Sequence, residues 1–376
     1  MSSLQNHLTN QTPAMLDLLA QLVSIESPTH NKQAVDLVGA AIADQLRSIG
    51  ASITRYPQVN TGDHILGVLN MGAGNAVTMV MHMDTVHPIG FLKEHPAHVE
   101  AGKYYGPGSC DMKASHVIAL SAVKALQQLG QLPKREIRIL FTSDEETGSH
   151  TSRELIEEIA AGSALCMVME PPLPDGRLKS ARKGTAGFKV VARGRAAHAG
   201  VQHENGINAI VELAHQMIKI QSLTDYSRGL TLSIGNVSGG GATNVVPDYA
   251  VCNVDCRIAK QSDAEFVVNA IKSLKPVLPG AMLEIDVDLN RPPFEYNAER
   301  QQIIDRINSI AQNELGRTFT HGSTGGGSDA SFTATVAPTM DGFGAVGDGM
   351  HALHEHVVIS SLAERASLTA AILRDY

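Results

Sequence analysis

The sequence predicts an α/β protein, a mainly parallel sheet covered by helices and interrupted by an inserted α+β unit. Three observations carry this. Short apolar runs alternate with helical stretches through residues 1–178, the order of elements changes to βαββαβ across residues 179–292, and the first kind of alternation returns over residues 293–376. The chain therefore reads as one domain in two parts, 1–178 and 293–376, with a second domain at 179–292 set into it.

The elements follow in order. Residues 15–23 place Met15, Leu18, Leu19, Leu22 and Val23 at helical spacing, and residues 35–49 repeat the pattern after a Ser27-Pro28 break. Residues 75–83, NAVTMVMHM, are apolar without a helical period, and residues 136–142, EIRILFT, alternate before a polar cluster; each reads as a strand ending in a loop. Helices are expected at 114–129, where the pattern is that of a buried helix, and at 152–161. Strands alternating with helices imply a sheet covered on both faces, with chemistry beyond the carboxyl ends of its strands. In the insertion, strands at 187–193, 230–237, 250–258 and 282–289 alternate with helices at 207–220 and 264–274. Helices at 300–315 and 361–373 complete the chain, and no internal repeat is visible.

Composition narrows the function. A chain of 376 residues exceeds one ordinary core of roughly 100–200 residues, so two domains are expected. Thirty basic against 38 acidic residues give a net charge of −8 with no basic run, which argues against nucleic acid or an anionic membrane as partner. A small-molecule or peptide substrate fits better. No apolar stretch approaches the roughly 20 residues needed to span a bilayer. The first residues also lack the cationic start and apolar core of a secretory signal. Cys110, Cys166, Cys252 and Cys256 lack the paired spacing of a disulfide framework or zinc knuckle, so the cytoplasm is the expected location. Cys252 and Cys256 share one face of a strand and read as buried small hydrophobes.

Five clusters carry candidate chemistry, and each supplies the carboxylate or imidazole donors that zinc prefers. The first is His82-Met83-Asp84-Thr85-Val86. Side chains alternate along an extended chain, so Asp84 projects to the same side as His82 and could orient a metal-binding imidazole. Alone, such a pair is more often structural. The turn-rich Gly106-Pro107-Gly108-Ser109-Cys110-Asp111-Met112-Lys113 opens a helix. Its Asp111 is either a cap or a carboxylate whose two oxygens serve two metals. Asp144-Glu145-Glu146 sets three acids in a row at a strand end, which costs stability unless cations neutralise them; a solvated acidic turn is the other reading. Val168-Met169-Glu170-Pro171-Pro172 is another apolar run ending in a carboxylate. Residues 347–356 hold His351, His354 and His356 and leave the ligand among them open.

In this order and at these separations the clusters resemble the M20 metallopeptidases, which include aminoacylases and amino-acid deacetylases, and the resemblance covers essentially the whole chain. The insertion adds Gly194-Arg195-Ala196-Ala197-His198-Ala199-Gly200, Asn244-Val245-Val246-Pro247 and Asp255-Cys256-Arg257. Together with Gly325-Gly326-Gly327-Ser328-Asp329-Ala330 these look closest to the glutamate carboxypeptidase, or carboxypeptidase G2, branch. The resemblance implies a catalytic domain of zinc-aminopeptidase type and a ferredoxin-like lid that makes a homodimer.

It further implies two zinc ions per subunit, with cobalt or manganese able to occupy the same donors. One ion takes His82, Asp111 and Glu170, the other Asp111, Glu146 and His351, and a cis peptide follows Asp111. His351 is chosen over His354 because an acid, Glu355, follows it at the family's interval. The resemblance makes Glu145 the general base, with Asp84 supporting His82 and His198 of the partner subunit stabilising the oxyanion. Arg257 and Arg291, beside Asn244, are candidates for a substrate carboxylate, since a guanidinium meets one with two parallel hydrogen bonds.

The expected reaction is cleavage of an amide next to a free carboxyl-terminal amino acid. An N-acyl-amino-acid deacylase of the acetylornithine deacetylase or aminoacylase type is the alternative. A binding protein that has kept the fold and lost activity is the outside reading, and the complete set of ligands plus Glu145 argues against it. The basic segment of Arg177, Lys179, Arg182 and Lys183 has no secure role.

Overall fold

In the computed structural model, which describes residues 2–376, four strands run parallel at the centre of an eight-stranded sheet. They lie in the order Ile137–Thr142, Val77–His82, Leu165–Val168, Thr339–Asp341. Nearly every residue in them is buried, which is why their sequences read as apolar runs. Antiparallel strands extend the sheet on both sides, His64–Leu69 and Ser52–Tyr56 at one edge and Leu178–Arg182 at the other, where His321–Thr324 lies outermost.

Alternation along the strands sends Met79, Met81, Ile139 and Phe141 to one face, against the helices Thr12–Val23, Lys32–Ser48, Ala114–Gln128, Ala298–Leu315 and Ile359–Asp375. Val80 and Leu140 point to the other face, against Leu155 and Ile156 of Arg153–Ala160 and Phe332. Truncating a buried side chain of this kind costs about 2–5 kcal/mol, so the strand ends are held stiffly.

The chain separates into two units by its internal contacts. One takes in the chain to Ala181 with Tyr296–Thr324 and Ser328–Tyr376, and the other is Arg182–Glu295 with Gly325–Gly327. The expected boundaries, 179 and 292, fall three residues earlier than 182 and 295. The difference arises because Lys179, in the strand Leu178–Arg182, still pairs with Asp341 in the large sheet.

The inserted unit is a four-stranded antiparallel sheet in the order Thr231–Gly239, Tyr249–Ile258, Gly184–Arg193, Met282–Arg291. Helices Ala209–Gln221 and Gln261–Lys272 cover one face, burying Phe188, Val190, Cys252 and Cys256. Helix Ser3–Asn10 and strands Ser52–Tyr56 and His64–Leu69 have no counterpart among the elements expected from the sequence. Among the described residues, no helix is long and apolar enough to cross a membrane.

Candidate metal centre

Three neighbouring parallel strands end side by side, and each ends in a candidate group. His82 closes Val77–His82, Glu145 and Glu146 follow Ile137–Thr142, and Glu170 follows Leu165–Val168. Asp111 enters from the turn Ser109–Lys113 that opens the helix Ala114–Gln128, and the Asp111–Met112 peptide is cis. The turn requires Gly108, whose φ of 67° is left-handed and whose Cβ would collide with Thr85.

The donors converge. His82 Nε2 lies 3.0 Å from Asp111 Oδ1 and 3.6 Å from Glu170 Oε1, while His351 Nε2 lies 3.5 Å from Asp111 Oδ2 and 3.2 Å from Glu146 Oε2. Each oxygen of Asp111 therefore faces a different imidazole. Donor atoms of His82, Glu145 and Glu170 lie within 4.8 Å of one another, as do those of His82, Asp111 and Glu146. His354 is exposed, and His356 is buried against Tyr105.

Charge explains what the cluster needs. Burial is the largest influence on Asp111 and opposes its ionisation, yet hydrogen bonds from His351 and His82 outweigh it and hold the carboxyl well below the usual range. Burial also opposes charge on His82, and Asp111 and Asp84 reverse it, raising the imidazole well above its ordinary value. Asp111 and then Glu146 push His351 up to about 10. Burial pushes Glu146 up, and its Oε1 is buried with no hydrogen-bond partner. An orphaned buried acceptor costs about 1–3 kcal/mol. These groups call for positive charge at their centre, and a pair of divalent cations fits the donor set.

Asp84 meets His82 through its main chain and its side chain. His82 Nδ1 sits 2.9 Å from the backbone oxygen of Asp84 and 3.5 Å from its carboxylate, so the main chain fixes the tautomer and turns Nε2 toward the cluster. The carboxylate also accepts the amides of Glu145 and Glu146 at 3.2 Å each and the Thr29 hydroxyl at 2.7 Å. It therefore positions the acidic turn. Asp144 is turned away from the cluster and accepts from Thr151 and Ser152, which closes that turn onto the next helix.

Two further supports had no signal in the sequence. His116 Nε2 lies 2.7 Å from the His82 carbonyl, and burial pulls this imidazole down to about 3, so it is neutral and donates. His64 links Ser143 and Thr151. Burial pushes the Cys110 thiol well above its ordinary value, which removes it as a nucleophile.

The remaining candidates lie in the inserted unit. His198 sits on a two-residue ladder opposite Val245, and its Nδ1 accepts from the amides of Gly200 and Val201 at 3.1 Å. A neutral ring so bonded carries its proton on the exposed Nε2. Gly194 is required because a Cβ there would overlap the Ile207 carbonyl. The Asn244 carbonyl accepts from Ala199, which brings that residue to the His198 turn. Arg257 and Arg291 both register with Thr185 from opposite sides, with Arg291 buried and Arg257 Nε 2.9 Å from Asp255. Arg257 is thus eight residues along its strand from Tyr249, the end where His198 and Asn244 lie, a separation of about 26 Å. The basic segment is taken up structurally: Arg177 pairs with Asp175, Lys179 is buried, and Arg182 donates to the Gly327 carbonyl.

The family profile described as Peptidase family M20/M25/M40 matches residues 79–375. The chain belongs to this family. M20 peptidases are metal-dependent hydrolases, and the protein is a hydrolase of that kind. This M20 peptidase is 30% identical over 374 residues to carboxypeptidase G2 of Pseudomonas sp., covering 98% of this chain and 90% of that one. It is 27% identical to the succinyl-diaminopimelate desuccinylase of Gluconacetobacter diazotrophicus, covering 96% of each. Its fold is similar to that of aminopeptidase PepT from Bacillus cereus, with a TM-score of 0.80 at 22% identity over 96% of this chain and 98% of the other. It is similar as well to a Bacillus subtilis M20 peptidase described as dinuclear and metal-binding, with a TM-score of 0.71 at 15% identity over 98% and 99%.

Proposed function

We propose that this M20 peptidase is a two-zinc amidohydrolase that releases a carboxyl-terminal amino acid, with His82, Asp111, Glu170, Glu146 and His351 as ligands and Glu145 as base. One observation carries it: the two oxygens of Asp111 face two different imidazoles, the arrangement of a bridging carboxylate. When bound, the ions supply Lewis acidity that polarises the amide carbonyl and acidifies a water. Glu145, its backbone anchored by Asp84, takes the proton of the attacking water and delivers it to the leaving amine. His198 presents Nε2–H to the oxyanion.

Within one inserted unit Arg257 stands about 26 Å of strand from Tyr249, whereas His198 is laddered to Val245, before the other end of that strand, so these two candidates for one substrate belong to opposite ends of it. The site is therefore completed by a second copy, with His198 supplied in trans. The edge strand Thr231–Gly239 and the exposed Ile218, Val211 and Val237 support a homodimer through this unit. Co-refolding inactive Glu145→Gln with inactive His198→Ala should restore about a quarter of parental activity, the share of intact sites in randomly paired dimers. No recovery in confirmed mixed dimers would exclude a trans role.

Arg257 is the better carboxylate receptor, since its guanidinium is partly exposed and already grips a carboxylate, that of Asp255. Arg257→Ala should lower kcat/KM for a dipeptide with a free terminal acid by about 10–100-fold, the loss of a charged hydrogen bond. The amidated dipeptide should be indifferent to the change. Equal losses on both would reject the assignment. The likeness to a desuccinylase favours deacylation as the second reading. A panel of glutamate-terminated peptides against succinyl and acetyl amino acids separates the two; faster turnover of the acyl amino acids would replace the carboxypeptidase reading.

A further inference from the structure

The buried carboxylate of Glu355 takes no part in the ligand set, yet it is surrounded by the backbone that presents Asp111. Oε1 accepts the amides of Cys110 at 2.9 Å and Asp111 at 3.0 Å. Oε2 accepts the amide of Gly108 at 2.7 Å and lies 3.2 Å from His87 Nε2, itself stacked on Phe91. The Glu355 carbonyl accepts the amide of Gly106 at 3.1 Å. Four backbone N–H groups between residues 106 and 111 thus end on one residue. Every partner is a donor when His87 carries its proton on Nε2, and only an acceptor-only carboxylate satisfies them all.

The same residue closes the loop that carries His351. Turn bonds from Ala352 to the Gly349 carbonyl and from Glu355 to the Ala352 carbonyl lock the four-residue interval, and His351 itself is held at a φ of 65°. A β-branched or bulky residue tolerates that backbone poorly, and a histidine keeps it only where its surroundings fix it. Glu355 therefore ties the loop of Asp111 to the loop of His351 from outside the donor cluster.

We propose that Glu355 is a positioning residue that sets the Asp111 turn against the His351 loop, so that both metal positions depend on a carboxylate that touches neither ion. The proposal rests on Asp111 and His351 being ligands. It gives the interval from His351 to Glu355 a physical reason: the spacing lets one short loop offer a ligand at one end and a clamp at the other.

The test uses the full-length protein and cobalt(II) as probe, with Glu355→Gln, Glu355→Ala and Asp111→Ala compared with the parent. Cobalt affinity is read by competition with a chromophoric chelator, the visible spectrum reports ligand geometry, and thermal melting of the metal-free proteins reports the fold. Glu355→Gln retains the Oε1 contacts and turns an amide NH2 toward Gly108. It should melt near the parent, bind cobalt about 10-fold more weakly and shift the visible bands; Glu355→Ala should lose about 100-fold. Should the Ala variant not fold, the isosteric Gln variant carries the comparison. Parental affinity and spectrum in folded Glu355→Gln would overturn the proposal, including the case where only melting or activity changes. Parental cobalt binding by Asp111→Ala would instead take down the metal site and the clamp with it, whereas loss there beside parental behaviour of the Glu355 variants removes the clamp alone.

Discussion

Glu145→Gln is expected to lower kcat by about 10²–10⁴-fold, the usual weight of a general base, while two equivalents of metal stay bound. The side chain is half-buried, its amide is held by Asp84, and its carboxylate lies within 4.8 Å of donor atoms of His82 and Glu170. That proximity leaves two roles to separate, since a carboxylate so placed can take a proton or bind an ion. The amide of glutamine fills the same space and accepts no proton at neutral pH. Metal analysis of the purified variant beside its steady-state kinetics distinguishes them. If metal and activity disappear together, Glu145 is a ligand and the base lies elsewhere.

Asp111→Ala is expected to abolish activity and to weaken binding of both ions by more than about 100-fold, the upper end of what loss of a merely supporting residue costs. Its two oxygens face His82 and His351, so one substitution removes a donor from each position. His351→Ala removes a donor from one position only and should leave close to one equivalent of tightly held metal. Competition titrations of the two variants, read as stoichiometry, check this contrast. Two tight ions in Asp111→Ala, or none in His351→Ala, would contradict a shared carboxylate.

Much of the site was legible because its groups end apolar runs. His82, Glu146 and Glu170 each follow residues buried on both faces of the sheet, and a polar group at the end of such a run has few structural reasons to be there. What could not be read depends on contacts between distant residues. Thr29 meets Asp84 across 55 positions, and the Asp84 carboxylate meets the amides of Glu145 and Glu146 across more than 60. Nothing local in His82-Met83-Asp84 shows that the aspartate, besides meeting the histidine, also anchors the acidic turn. The missed strand His64–Leu69 contains Gly67, which reads as a breaker; it is there because Leu46 fills the space its Cβ would take. Ser52–Tyr56 is an edge strand in which Ile53 and Tyr56 reach the core at a spacing of three, so its sequence has no regular alternation.

The three strand ends have one more consequence. Neighbouring strands stand about 4.8 Å apart, so the hydrogen-bond ladder acts as a ruler with fixed graduations. Glu146, His82 and Glu170 stand at or just beyond the ends of three successive strands, and their donor atoms are drawn closer than twice that spacing, those of Glu146 and Glu170 each to within 4.8 Å of His82. The side-by-side placing of these three groups is in this sense inherited from backbone geometry common to all parallel sheets.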